Sequence, residues 1–199
     1  MQRLIQFTAT FLLAAVCLLS GCAGSSGGMK IYERGMDEAN AGNLEAAVET
    51  LRKGVGSFPG NLDMRLGLAR LQFERGMVFH ERELQLRRTS AALFESDRSA
   101  EGTSASRGAR AAHRQAEPLF KSCEEQVDVV VRASDDPKTI AWASSLGMRV
   151  ALFFEDYQGA YDHISRAINE GKPTGQLLTK WRNFQASLRE KSVGVGADD

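Results

Sequence analysis

The sequence predicts an all-α fold, and three observations carry that expectation. Ala, Leu, Glu and Arg are abundant beyond residue 21, and such side chains lose little freedom in a helix. Only four prolines, Pro59, Pro118, Pro137 and Pro173, punctuate 199 residues. Alternating Val, Ile and Thr runs are nearly absent. Val127 to Val131 is the one β-like patch, and it lies in a charged helical context.

The first element is not part of the fold. Met1-Gln2-Arg3 places one positive charge ahead of an uncharged run from Leu4 to Leu19. The run is shorter than the roughly 20 apolar residues of a spanning helix. Gln6, Thr8 and Thr10 interrupt it, and it ends in small residues. That is the pattern of a secretory signal over residues 1–21. By residues alone it also suits an uncleaved anchor or a plain signal with a chance cysteine. Leu19-Ser20-Gly21-Cys22 resembles the bacterial lipobox. The resemblance implies that Cys22 is acylated and becomes the first mature residue, with residues 22–28 a flexible tether of small side chains. It also implies an envelope location facing the periplasm. Ala23, where an Asp would favour retention at the inner membrane, points to the outer membrane.

Beyond residue 21 the chain keeps 178 residues, enough for one domain with a sizeable core. Arg3 is the only charge lost, so 24 basic and 25 acidic side chains remain. Such a balance excludes a general nucleic-acid binder and gives no overall surplus for holding anionic lipid. With Cys17 in the signal and Cys22 at the lipid site, Cys123 is alone and no internal disulfide framework forms. It reads as a small buried hydrophobe.

The folded part is expected over residues 29–191. Met29 to Ala41 predicts a short helix and Gly42-Asn43 a turn. Leu44 to Val55 predicts a second helix, with Leu44, Ala47, Val48, Leu51 and Val55 on one face. Phe58-Pro59-Gly60-Asn61 closes it. Leu66, Leu68, Ala69 and Phe73 mark the next helix, with a turn expected at Gly76 and a second helix running on toward Phe94. Residues 96–108 are poor in apolar side chains and rich in Ser and Gly, the composition of a mobile loop. Helix resumes over about 109–133, where Pro118 marks either a kink or a fresh first turn. Asp136-Pro137 reads as a cap and first helical position, leading into a helix from Thr139 to Phe154. Asp156-Tyr157 turns into Tyr161 to Ile168, ending at Gly171-Lys172-Pro173. A last amphipathic helix over 174–190 carries Leu177, Leu178, Trp181, Phe184 and Leu188. The tail, 192–199, reads as disordered.

Gly35, the Gly42-Asn43 turn, Ala47, Leu51, Gly54 and Pro59 resemble a tetratricopeptide repeat, the 34-residue helix-turn-helix unit. Gly42 and Gly76 are one such period apart. The resemblance is clear over 29–76. It is degenerate over 139–173, where Gly147, Ala160, Ile164, Ala167 and Pro173 keep an imperfect register. It implies a short right-handed solenoid of helical hairpins with a degenerate middle, the 174–190 helix capping its open end. It further implies that the first helix of each hairpin lines a partner groove, so that Tyr32, Met36, Asn40, Asp63, Leu66, Arg70 and Phe73 become the candidate contacts.

No catalytic or metal constellation is legible. His80, His113 and His163 are far apart, and the residue four after His80 is Leu84, which cannot ligate. His80 and His113 read as exposed helical positions, His163 as structural or solvated. Arg75, Arg82, Arg87, Arg88 and Arg98, with Glu74, Glu81 and Glu83, read as a mixed-charge solvated face, with a docking stripe for a partner as the alternative. No phosphate loop or nucleophile elbow occurs, so neither enzyme activity nor a cofactor is expected. The expected role is a lipid-anchored periplasmic adaptor that scaffolds assembly of envelope complexes, with envelope proteins as partners, the membrane as anchor and no nucleic acid. The alternative is an accessory lipoprotein of solute uptake, with a small molecule inside the helical stack.

Overall fold

The computed structural model describes residues 27–194. The signal, Cys22, most of the tether and the end of the tail lie outside the described residues. The described chain is all-α, with seven helices and no strand among the described residues. It divides into two compact units with the boundary after Met64.

The first unit holds α1 (27–40), α2 (Leu44–Ser57) and the first turn of α3 (Leu62–Glu95). Helix begins by residue 27, two residues earlier than the sequence suggests. Gly42 takes φ +84 at the turn, a conformation costly for other residues. The helices run antiparallel and close. A Cβ at Gly35 would lie 2.5 Å from Leu51 Cδ2, and one at Gly54 would strike Met64 Sδ and Ile31. Ala47, Val48, Leu51 and Met64 are buried in this seam. Each large one contributes about 1.5–3 kcal/mol by leaving water. Thr50 donates to Glu38 Oε2 at 2.6 Å, tying α2 to α1. Asn61 Oδ1 accepts from the Met64 N–H at 2.9 Å and caps α3.

The second unit holds the rest of α3, α4 (Ser99–Ala133), α5 (Pro137–Phe153), α6 (Tyr157–Asn169) and α7 (Gly175–Gly194). Two expectations fail in α3 and α4. Gly76 is no turn: α3 is one helix of 34 residues, and Gly76 sits inside it, buried against Phe120. Nor is 96–108 a loop. Asp97 at φ 59 and the Arg98 N–H to Leu93 O bond make a tight turn, and α4 starts at Ser99. The physical reason is shared. α3 and α4 form an antiparallel pair whose contact is made by small residues. Gly102, Ala109, Ala112 and Ala116 are buried on α4, where Phe94 packs on Gly102 and Leu86 on Gly108. Ser90 donates to the Gly102 carbonyl at 2.8 Å within this seam. Gly and Ser here allow close helix approach and do not loosen the chain.

Pro118 is inside α4 on its exposed side, where water can take the bond its missing N–H leaves open. The core of this unit is Ala69, Ala116, Phe120, Cys123, Val127, Val130, Ala143, Leu146 and Val150. The β-like Val127 to Val131 patch is thus a buried helix face. Cys123 is fully buried, and burial raises its thiol pKa to about 12. Asp136 accepts from Thr139 N at 2.9 Å and Asp156 from Gly159 N at 2.8 Å, capping α5 and α6. α4 packs on α5, α5 on α6 and α6 on α7. Gly147 leaves room for the His163 ring, whose burial lowers its pKa. Ala151, Ala160, Ile164 and Leu188 make a second core, with Tyr157, Tyr161 and Trp181 packed against it. α7 extends to Gly194, so residues 192–194, expected as tail, are helical.

Candidate functional site

α3 and α5 are the first helices of successive antiparallel pairs in the second unit. Their side chains meet at one exposed cluster. The Arg70 guanidinium lies 6.0 Å from the Trp142 ring centroid, and that of Arg149 lies 6.0 Å from the Phe73 ring. Trp142 keeps 51 % of its surface exposed. Trp142, Ser145, Leu146 and Arg149 line a cleft of about 160 Å³. Arg70 Nε also donates to Glu74 Oε1 at 2.7 Å in an exposed i,i+4 pair. Phe73 touches the buried Phe120 edge-on at 5.5 Å between ring centroids. One edge of the cluster is therefore fixed by the core, while Trp142 and the two guanidinium groups face water.

Such a surface suits a protein segment. Trp and Arg are among the residues enriched at interaction hot spots. The cations favour carboxylates, and the indole and phenyl rings favour apolar side chains.

Of the residues expected to line a groove, Arg70 and Phe73 belong to this cluster. Leu66 lies on α3 but packs against the core. Tyr32 and Met36, half-buried, and Asn40 and Asp63, exposed, belong to the first unit. Trp142, Ser145 and Arg149 were not among the expected residues. Their signal was available: they follow one another at spacings of three and four on the first helix of the third hairpin, where the same first-helix logic applies.

A second polar centre corrects three more expectations. Glu83, read as part of a solvated face, has a side chain only 4 % exposed. Arg87 approaches its Oε1 at 2.6 Å, and His113 Nδ1 lies 3.0 Å from its Oε2. His80 Nδ1 lies 3.5 Å from the same oxygen. Burial pushes the Glu83 carboxyl up, but the His113 and Arg87 contacts outweigh it and hold the pKa below the ordinary value. Neither histidine is an open surface residue. His113 stacks on Phe153 with centroids 5.6 Å apart, and His80 meets the same ring edge-on at 5.1 Å. Phe153 in turn lies 4.1 Å from Phe120. The centre joins α3, α4 and the end of α5.

Among the described residues, no group of three His, Cys, Asp or Glu is placed to hold a metal ion. No described helix is long and apolar enough to cross a membrane. Comparisons with family models, curated proteins and solved structures gave no match.

Proposed function

We propose that the protein is a lipid-anchored periplasmic adaptor that docks a segment of an envelope protein on the α3–α5 cluster, with Trp142 as the apolar anchor and Arg70 and Arg149 as the charged grips. The observation that carries this reading is the half-exposed Trp142 beside two arginines on first helices of successive hairpins. The serial packing of α4 on α5, α5 on α6 and α6 on α7 supports a tetratricopeptide-like hairpin stack for the second unit. The preferred segment combines carboxylates with an apolar side chain. A small molecule is less favoured at this cluster, because its cleft of about 160 Å³ is below the roughly 300–1,000 Å³ of ligand pockets. Residues 99–108, expected as part of a mobile loop, are built into α4.

The test is capture of envelope proteins in cells by the full-length protein, by Cys22→Ala and by Arg70→Glu plus Arg149→Glu. The cleft variant is expected to lose the dominant partner while keeping a wild-type melting curve. Undiminished capture by a folded cleft variant would refute the assignment.

A further inference from the structure

The near-neutral balance of the chain conceals a separation of charge within the first unit. Gly27 lies against Phe58, Ile31 against Gly54 and Gly35 against Leu51, so the end of α2 returns to the start of α1. The described basic residues of this unit, Lys30, Arg34, Arg52 and Lys53, lie on that half, against Glu33 and Asp63. The half nearer the turn carries Asp37, Glu38, Glu45 and Glu49. Arg34, Thr50, Lys53 and Ser57, with Ile31 and Gly54, line a cleft of about 240 Å³. The Arg34, Arg52 and Lys53 side chains are 74 %, 55 % and 76 % exposed. Their ion pairs to Glu38 and Glu49 are exposed pairs within one helix, which are weak and readily exchanged for another anion.

With Cys22 as the anchor, chain length keeps this half of the hairpin close to the membrane surface. Residues 23–26 separate Cys22 from the first described residue, so five peptide steps reach at most about 18 Å. We infer that the basic half of the α1–α2 hairpin docks on the anionic phospholipid headgroups of the membrane that holds the anchor, with a headgroup phosphate between Arg34 and Lys53. This inference rests on the reading that Cys22 carries the lipid. Glu49, Glu38 and their neighbours at the turn end are repelled by the same surface. The hairpin therefore meets the membrane with its α1 start and its turn points away.

The test uses the full-length lipidated protein, with a fluorophore on Ser57→Cys or, as reference, on Asn43→Cys at the turn. Labelling is selective because Cys123 is buried. The protein is placed on phosphatidylcholine vesicles, or on vesicles also containing phosphatidylglycerol, each with a headgroup quencher. At low ionic strength, each uncompensated cation at such a surface favours contact about fivefold. Quenching at position 57 is expected to rise about fivefold or more on the anionic vesicles and to fall back in high salt. Position 43 is expected to stay unquenched, and Arg52→Glu plus Lys53→Glu to abolish the rise. Equal quenching on both vesicles, or an equal rise at position 43, would overturn the inference. So would a response of position 57 to inorganic phosphate without vesicles that matches the vesicle effect, since the ligand would then be a free anion. A protein that does not float with neutral vesicles would refute the anchor itself, and the inference with it.

Discussion

Replacing Gly76 by Ala tests the α3–α4 seam through the sign of a stability change. At an open helix position the change stabilises by about 1 kcal/mol. Here the new methyl would lie 2.9 Å from Phe120 Cε1 and Cζ. That ring is fully buried, with Phe73 5.5 Å and Phe153 4.1 Å from its centroid, so it has nowhere to turn. Overpacking of this kind costs about 1–3 kcal/mol. Set against the helix gain, Gly76→Ala is expected to destabilise by about 1 kcal/mol, and a urea titration would show a lower midpoint at unchanged slope. In a Phe120→Leu background the clash is gone, and the same substitution is expected to stabilise. The double-mutant cycle then gives a coupling of about 1–2 kcal/mol. A left-handed turn at Gly76 would also make Ala destabilising, but without coupling to Phe120. Stabilisation by Gly76→Ala in the wild-type background, or zero coupling, would refute the close-packed helix pair.

Glu83→Ala is expected to cost about 2 kcal/mol in a denaturant titration, less than a fully buried pair because Arg87 keeps 63 % exposure; a change below about 0.5 kcal/mol would contradict the polar centre. Stability is expected to fall with acid in two stages. His163 has a pKa lowered from 6.5, so its contribution is complete above that value and is lost as pH falls through the lowered one. Glu83 has a pKa lowered from 4.5, so its contribution is present above 4.5 and lost as pH falls through its own. Glu83→Gln is expected to reduce the lower stage, which Glu38, Glu117 and Asp136 share, and to leave the upper one unchanged, measured as midpoint against pH. Cys123 is expected to resist maleimide in the native protein at pH 8 and to react promptly in denaturant, followed by intact mass; rapid native labelling would contradict its buried place. Asp136→Ala and Asp156→Ala are each expected to cost about 1 kcal/mol by removing a cap, whereas Asp135→Ala, beside one of them, is expected to be nearly neutral.

The all-α class was legible because apolar residues recur at three, four and seven over Leu44–Val55 and again over the last helices. One cap was legible too: Asp136 accepts the amide bond its sequence position suggests, whereas Asp156, read as part of a turn before a helix at Tyr161, caps a helix that already starts at Tyr157. What escaped sequence reading was long-range packing. Gly76 and the Gly and Ser of 96–108 have the composition of turns, and only a partner helix turns them into a contact surface. The spacing of Gly102, Ala109, Ala112 and Ala116 was the signal, visible once small residues are counted as a helix face. The Glu83 centre was hidden because its parts lie on α3, α4 and the end of α5, with His113 thirty residues from Glu83. For the candidate site, Arg70 and Phe73 followed from first-helix logic. Trp142 falls within the predicted Thr139–Phe154 helix, and nothing in one helix tells which side a neighbour covers.

The proposal of an α3–α5 docking surface is tested most directly by a photo-crosslinking residue placed at Ser145 in the full-length protein in living cells, compared with one at the exposed Thr89 on α3. The expected result is one dominant envelope-protein adduct from position 145, mapped to a segment with carboxylates beside an apolar side chain, absent from position 89 and lost in Arg70→Glu plus Arg149→Glu. Identical adducts from both positions, or a position-145 adduct that survives the charge reversal, would contradict it.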